Sequence, residues 1–401
     1  MTFSKIKAEK LVNILLILLA VSVPLFARSP NINKYLLILL VIAWFIRGKV
    51  SFKNPVALPI GVYVLIVLVS AFAGVNFSES FRYFVQHTVN IIMVFVVADC
   101  VKDRRQHSGL LKVFLISASV VCVMGLLQYA AAKWIFLKKP LEVFGVHNIM
   151  GGRICSTRRH PLVFADNIAL YLPLMAAYAA HYKKALSVSA LVIMMAALIF
   201  TYSRTPTGAV FIVFAAAAIM FFKKTKAIIL PTAAAVIIAL LSITFFKGMP
   251  LKRRLHLKLE GRQYIWKGAE GIVKKYPLFG VGQGNVYDAL TETKLGREVK
   301  LSHTHNTYLQ ILVASGIFAL ITFFWVIYAF FKELLKRIKH PDVGKFEKYI
   351  LVGLLFGFAA EGMCGMTDDL FCRAEIYYPI YFLMGLAMSK ALDPDHRVLE
   401  K

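Results

Sequence analysis

Acidic residues are scarce in this chain of 401 residues: 21 Asp and Glu stand against 47 Lys and Arg, for a formal net charge of +26. So few carboxylates leave no apparent pair of the kind used by most glycosidases. The five cysteines form no CxxC, which removes support for a zinc site, and they do not make a disulfide framework. Cys155 and Cys372 are expected to face an oxidising compartment, where they are able to pair. At 17%, charged residues are too few for a soluble domain of this size. Internal repeats, low-complexity tracts and a separate soluble domain are also missing. Lys5, Lys7 and Lys10 precede the first apolar run, but Arg28-Ser29-Pro30 follows it where a signal peptide would need small residues, so the run reads as a retained span.

What the chain has instead is apolar length. It is 59% hydrophobic, with a mean hydropathy of +0.68. Runs near the ~20 residues that cross a hydrocarbon core recur throughout. Twelve spans are expected: 11–27, 34–46, 55–75, 81–101, 109–131, 162–181, 185–202, 207–222, 227–246, 307–331, 349–366 and 376–392. A helix satisfies its own backbone hydrogen bonds in lipid, so the expected fold is an all-α, polytopic membrane bundle. The runs lack the ten-residue alternation of a transmembrane barrel.

The short basic loops fall on one face if the spans alternate, which makes that face cytoplasmic and places both termini on it. The opposite face then receives 132–161, the large loop 247–306 and the short loop 367–375. The chain thus divides into nine spans over 1–246, the large periplasmic loop with short helices at 247–306, and three spans with a cytoplasmic C-terminus over 307–401. A helix is expected around Glu270–Lys275, and a turn over Pro277–Gly284.

The outer loops are basic too. Segment 247–306 carries twelve Lys and Arg against five acids, and 132–161 adds Lys133, Lys138, Lys139, Arg153, Arg158 and Arg159 against Glu142 alone. Positive charge outside opposes the orientation rule. It points to an anionic ligand, either phosphorylated lipid or polyanionic glycan, or to simple contact with anionic headgroups.

Four constellations share this face. His303 and His305 lie in Ser302-His303-Thr304-His305-Asn306, just before the run that opens at Thr307. An imidazole suits a general base for a hydroxyl, and the helix N-terminus beside it favours anions. Of the two, His305 is the preferred base, and one of them is open to a capping or packing role. Arg204, between two apolar runs, either meets an anionic ligand or bridges to an acid such as Asp368. Arg262 and Trp266 share one side of a helix, with the planar guanidinium suited to phosphate and the indole to a sugar or the lipid interface. Arg153, Arg158 and Arg159 lie between Gly152 and the His160-Pro161 pair, in a loop that either holds an anion or anchors headgroups. Asp368, Asp369 and Arg373 occupy the last outer loop. Two adjacent carboxylates are able to hold a metal, but a metal-independent site is the expectation.

These segments resemble the O-antigen ligase family. Arg204 closes a polar stretch at a span end. Gly261, Arg262 and Trp266 lead to a Pro-Leu-x-Gly-x-Gly turn formed by Pro277, Leu278, Gly280 and Gly282. His303, His305 and Asn306 precede a span with Gly316 ten residues beyond the Asn. Where some members carry a second glycine three residues on, this chain has Ala319.

The resemblance implies a glycosyltransferase of the bacterial inner membrane that works on its periplasmic side. The donor would be O-antigen on undecaprenyl pyrophosphate, and the acceptor a sugar hydroxyl of lipid A–core oligosaccharide. His305 would be the base, with His303 beside it. Arg204 and Arg262 would clamp the diphosphate, assisted by Arg153, Arg158, Arg159 and Asn306, with Trp266, Asp368 and Arg373 in support. Membrane lipids surround the protein, and no cofactor, metal or nucleic acid is expected. The nearest alternative is an O-antigen polymerase. A glycan or lipid transporter would place polar groups near mid-bilayer rather than at one boundary.

Overall fold

The computed structural model describes residues 3–26, 29–48, 50–132, 152–221, 264–292 and 303–393. Helices dominate it, and no strand occurs among the described residues. In chain order they are α1 (Phe3–Leu25), α2 (Pro30–Arg47), α3 (Ala57–Ala73), α4 (Phe77–Tyr83), α5 (Ile92–Cys100), α6 (Arg104–Ala131), α7 (Pro161–Tyr182), α8 (Ala185–Phe200), α9 (Arg204–Phe221), α10 (264–275), α11 (Val286–Glu292), α12 (Thr307–Lys339), α13 (Lys345–Cys364) and α14 (Ala374–Ala387). A π turn and a 3₁₀ turn join α4 to α5. Every expected apolar run coincides with helix except 227–246, which lies outside the described residues.

By length and composition, five stretches are able to cross a membrane: Lys7–Leu25, Phe77–Cys100, Arg104–Ala131, Pro161–Tyr182 and Thr307–Lys339. Three shorter apolar helices accompany them, Ala57–Ala73, Ala185–Phe200 and Arg204–Met220. The chain is a helical membrane protein of several spans.

The outer sides of α1, α2 and α3 expose Ile14, Leu39, Ile42, Leu58 and Phe72, as lipid-facing surfaces do. The centre is α7, with Phe164, Ile168 and Leu172 buried, and it packs against α13. Gly357 permits that approach: a Cβ there would stand 2.4 Å from the Leu170 carbonyl oxygen. Edge-to-face and stacked rings tie Phe114 of α6 to Tyr171 of α7 and Phe382 of α14.

One end of the bundle is closed by ion pairs. Asp99 accepts from Trp44 Nε1 at 2.7 Å and from Arg47 at 2.5 Å, and it also takes Lys390. Buried Arg337 donates to Glu333 and to the carbonyls of Ala387 and Ser389, which caps the end of α14. The other end gathers 152–160, 200–204, 277–284, 303–307 and 365–375.

The expected span after Asn306 is not one helix. Gly316 adopts φ 77°, ψ −177° and breaks α12. The break leaves backbone groups without helical partners, and these must be satisfied inside a membrane protein. The turn at 277–284 satisfies them. Val281 N–H donates to the Val313 carbonyl at 3.0 Å, Gly282 N–H to the Ala314 carbonyl at 2.8 Å, and Ile317 N–H to the Pro277 carbonyl at 3.0 Å. Ser70 of α3 adds a hydroxyl bond to the Phe279 carbonyl at 2.7 Å. Only glycine fits on either side of this seam. A Cβ at Gly316 would lie 2.1 Å from the Leu278 oxygen, and one at Gly280 (φ 67°) would lie 2.5 Å from the Val313 oxygen. The helix expected around 270–275 is present as α10. Its stripe of Ile265, Ala269 and Ile272 packs with Val281, Val286, Leu290, Val313 and Ala314 into a small second core.

Candidate active site

The short helix half 307–315 carries the two histidines at its N-terminal end. Asn306 is the N-cap, accepting from Leu309 N–H at 2.9 Å, and its side-chain amide donates to the Met366 carbonyl at 3.1 Å. The loop after α13 is strapped onto this terminus. Thr307 N–H donates to the Gly365 carbonyl, the Thr307 hydroxyl donates to the Asp368 carbonyl at 2.9 Å, and the same hydroxyl accepts from Leu370 N–H at 3.0 Å. Thr307 thereby fixes Asp368 against the histidines.

His303 Nε2 lies 3.7 Å and His305 Nδ1 3.6 Å from one oxygen of Asp368. The two rings are 4.0 Å apart. His305 holds φ 51°, a left-handed backbone that few non-glycine residues adopt. Thr304 between them is buried, with its N–H and hydroxyl on Gln310. Trp266 Nε1 donates to the Thr304 carbonyl at 3.1 Å. Trp266, expected at a sugar or the lipid interface, thus braces the histidine loop.

The side chain of Asp368 is 3% exposed, that of His303 17% and that of His305 33%. Burial pushes the Asp368 carboxyl up, but the close imidazoles of His303 and His305, the Arg373 charge and the Asp369 N–H outweigh it and hold it below the usual carboxylate range. Asp369 goes the other way. Burial and the Asp368 charge push it up to about 6, against the opposing pull of His303, the Phe371 N–H and Arg373. The arrangement is a carboxylate–imidazole system. An ionised carboxylate in this place is able to orient the rings and to stabilise an imidazolium, and His305 is the more exposed of the two.

His303, His305 and Asp368 offer atoms within 4.8 Å of one another, close enough to approach one cation. At 3.6 and 3.7 Å the two imidazoles also face the carboxylate as an acid–base group would.

The expected arginines separate. Arg153 donates to the Thr201 carbonyl at 2.7 Å and the Ser203 hydroxyl at 2.8 Å, bracing the turn from which Arg204 opens α9 at an exposed position. Arg159 is exposed and approaches Glu375 of α14 at 3.9 Å, while Arg373 immediately precedes that helix. Arg158 is 1% exposed. Its guanidinium is bonded to Asn167, Thr157 and the Pro24 carbonyl. That tie between α7 and the end of α1 replaces the expected role of Arg158 at a diphosphate. Arg262, with Gly261, lies outside the described residues. Asp368 stands against the two histidines.

The pairing open to Cys155 and Cys372 is not formed: Cys155 is buried on Gln128, and the Cys372 thiol donates to the Asp369 carbonyl.

Below the histidines runs an apolar cavity of about 410 Å³. It starts at Thr307 and Gln283 and descends between Tyr63, Tyr308, Phe323, Phe330 and Phe358 of α3, α12 and α13. Sequence reading missed this groove, since it is assembled from segments far apart in the chain, among them α3, α12, α13 and α14. It also missed two acids inside apolar runs, Asp166 in α7 and Glu361 in α13, although an acid in such a run is itself a signal.

No curated protein matches the chain. Residues 189–324 match the family model described as O-Antigen ligase. The matched span runs from α8 into α12 and takes in Arg204, the 277–284 turn, both histidines and Gly316. The family the sequence resembles is the one whose model residues 189–324 match.

Proposed function

We propose that the protein is an O-antigen ligase. It transfers O-antigen polysaccharide from undecaprenyl pyrophosphate to a sugar hydroxyl of lipid A–core oligosaccharide, completing lipopolysaccharide. One observation carries the reading: an imidazole pair set on an ionised, buried carboxylate stands at the mouth of an aromatic-lined groove. That juxtaposition suits a substrate with a reacting sugar and a long hydrocarbon tail. The groove takes the prenyl chain, and its mouth places the diphosphate near the short helix half, where backbone N–H groups favour anions.

A glycosyl diphosphate already carries a good leaving group. The protein must therefore position two lipid-borne substrates, remove one proton and stabilise the departing diphosphate. His305 takes the acceptor hydroxyl proton while Asp368 holds the ring and the charge it gains. Arg204 and Arg262 receive the diphosphate, with Arg159, Arg373 and the Arg153-braced turn supplying further positive potential. The acceptor oxygen attacks the anomeric carbon directly, so the configuration inverts. No metal takes part. In this reading the twelve-span chain lies in the inner membrane with both termini cytoplasmic, and the histidine end faces the periplasm.

The test is transfer by purified full-length protein in lipid nanodiscs. Diphosphate-linked O-antigen is supplied with lipid A–core, and separately without it. Polysaccharide attached to core only when core is present supports the ligase. Chain extension on the carrier in the absence of core assigns a polymerase, and no glycosyl transfer in either arm refutes both.

A further inference from the structure

Two carboxyls inside the bundle are not used by the mechanism above. Asp166 lies in the second turn of α7 and Glu361 in the last turn of α13. Asp166 is 0% exposed and Glu361 3%. Neither oxygen of either side chain has a hydrogen-bond partner among the described residues. The two feel each other's charge, and both feel that of Asp368. Both face Cys364 on α13 and Asp368 in the loop above, and Asp166 also feels Arg373. Tyr171 of α7 and Tyr308 of α12 face Glu361. Arg373 also serves Asp368 and Asp369. An ionised carboxylate without a partner at such depth costs several kcal/mol, and a proton is the cheapest remedy. Two like charges close together cannot both persist there.

We propose that Asp166 and Glu361 form a proton-holding carboxyl pair that adds no charge to that of Asp368 beneath the histidines, and so sets the pH range in which His305 accepts a proton. The link to turnover rests on the transferase reading above. In that step the acceptor O–H bond breaks and its proton goes to the His305 imidazole. The acceptor oxygen bonds the anomeric carbon, and the bond to the diphosphate breaks with its electron pair on the leaving oxygen. The imidazolium is held by ionised Asp368. A neutral pair leaves that interaction at full strength without adding to it. Loss of a proton from the pair would place a further negative charge beside Asp368 and hold the imidazolium too firmly to release its proton. Asp166 and Glu361 are thus positioning residues that act through Asp368.

Infrared spectroscopy of the full-length protein in nanodiscs reads the pair directly. At neutral pH the wild type should show a buried protonated-carboxyl C=O stretch that weakens in Asp166→Asn and in Glu361→Gln. If either variant fails to accumulate, wild-type protein carrying carbonyl-labelled aspartate and glutamate assigns the same band. A spectrum with only ionised carboxylate overturns the pair, whether or not transfer is ever observed. In the transfer assay, each variant, with one member of the pair made permanently neutral, should match wild type at neutral pH and keep its rate further into the alkaline range. Profiles that superimpose while the band is present overturn the link to His305.

Discussion

Replacing Gly316 by Ala tests the architecture that carries the histidines. The substitution acts in two ways. The backbone at φ 77°, ψ −177° is one that only glycine adopts readily, and forcing alanine into it costs about 2 kcal/mol. The new Cβ would also stand 2.1 Å from the Leu278 oxygen, so the 277–284 turn must withdraw. Withdrawal strains three backbone hydrogen bonds, Val281 to Val313, Gly282 to Ala314 and Ile317 to Pro277, each contributing about 1 kcal/mol net. Together the loss is about 5 kcal/mol. Gly48 supplies the control: it has nearly the same backbone, φ 71°, ψ 177°, but no heavy atom within 4 Å of its would-be Cβ. Gly48→Ala should lose only the ~2 kcal/mol of strain. The assay is thermal and denaturant unfolding of detergent-solubilised protein, with all three proteins measured side by side. A Gly316→Ala loss within ~0.5 kcal/mol of the Gly48→Ala loss would refute the claim that the turn holds the broken helix.

Three further outcomes follow from the site. Asp368→Asn should slow transfer roughly 10- to 100-fold with little loss of folded protein, because the histidines lose the charge that orients them; single-turnover kinetics checks this. Trp266→Phe should cost about 1 kcal/mol of stability by removing the bond to the Thr304 carbonyl, and should lower the transfer rate more than it changes apparent acceptor affinity. Asp369 is pushed up to about 6, above the ordinary ~3.9 of an unfolded aspartate. The folded state therefore binds this proton more tightly, and the group's contribution is lost as pH rises from about 4 to about 6, by about 3 kcal/mol in all. Asp369→Asn should remove that loss, seen as a higher unfolding temperature at neutral pH and a flatter pH dependence.

The helices were readable because burial in lipid demands apolar length, and α1, α6, α7 and α12 announce themselves by it. The histidines were readable because His303 and His305 are polar groups placed where lipid gives them no reason to be. The Pro277–Gly284 turn was visible in its glycines, but its role was not. That role depends on pairing with Val313 and Ala314, a partner that proline and glycine spacing does not encode. Asp368 was named only as support, since nothing in sequence shows that Thr307 would strap its loop onto α12. Arg158 misled for a related reason. Three arginines in a short loop look alike in sequence, and only burial against Asn167 and the Pro24 carbonyl separates a structural tie from the exposed Arg159. The acids in α7 and α13 were legible and passed over, as single carboxyls within long apolar runs.

The central claim is that His305, oriented by Asp368, removes the proton of the acceptor hydroxyl. Its most direct measurement is single-turnover transfer from diphosphate-linked glycan to lipid A–core by purified His305→Ala in nanodiscs, beside wild type and His303→Ala. The account predicts a fall on the order of 10²–10⁴ for His305→Ala, and a smaller one for His303→Ala. A His305→Ala protein that folds, binds both substrates and transfers at near wild-type rate would contradict it.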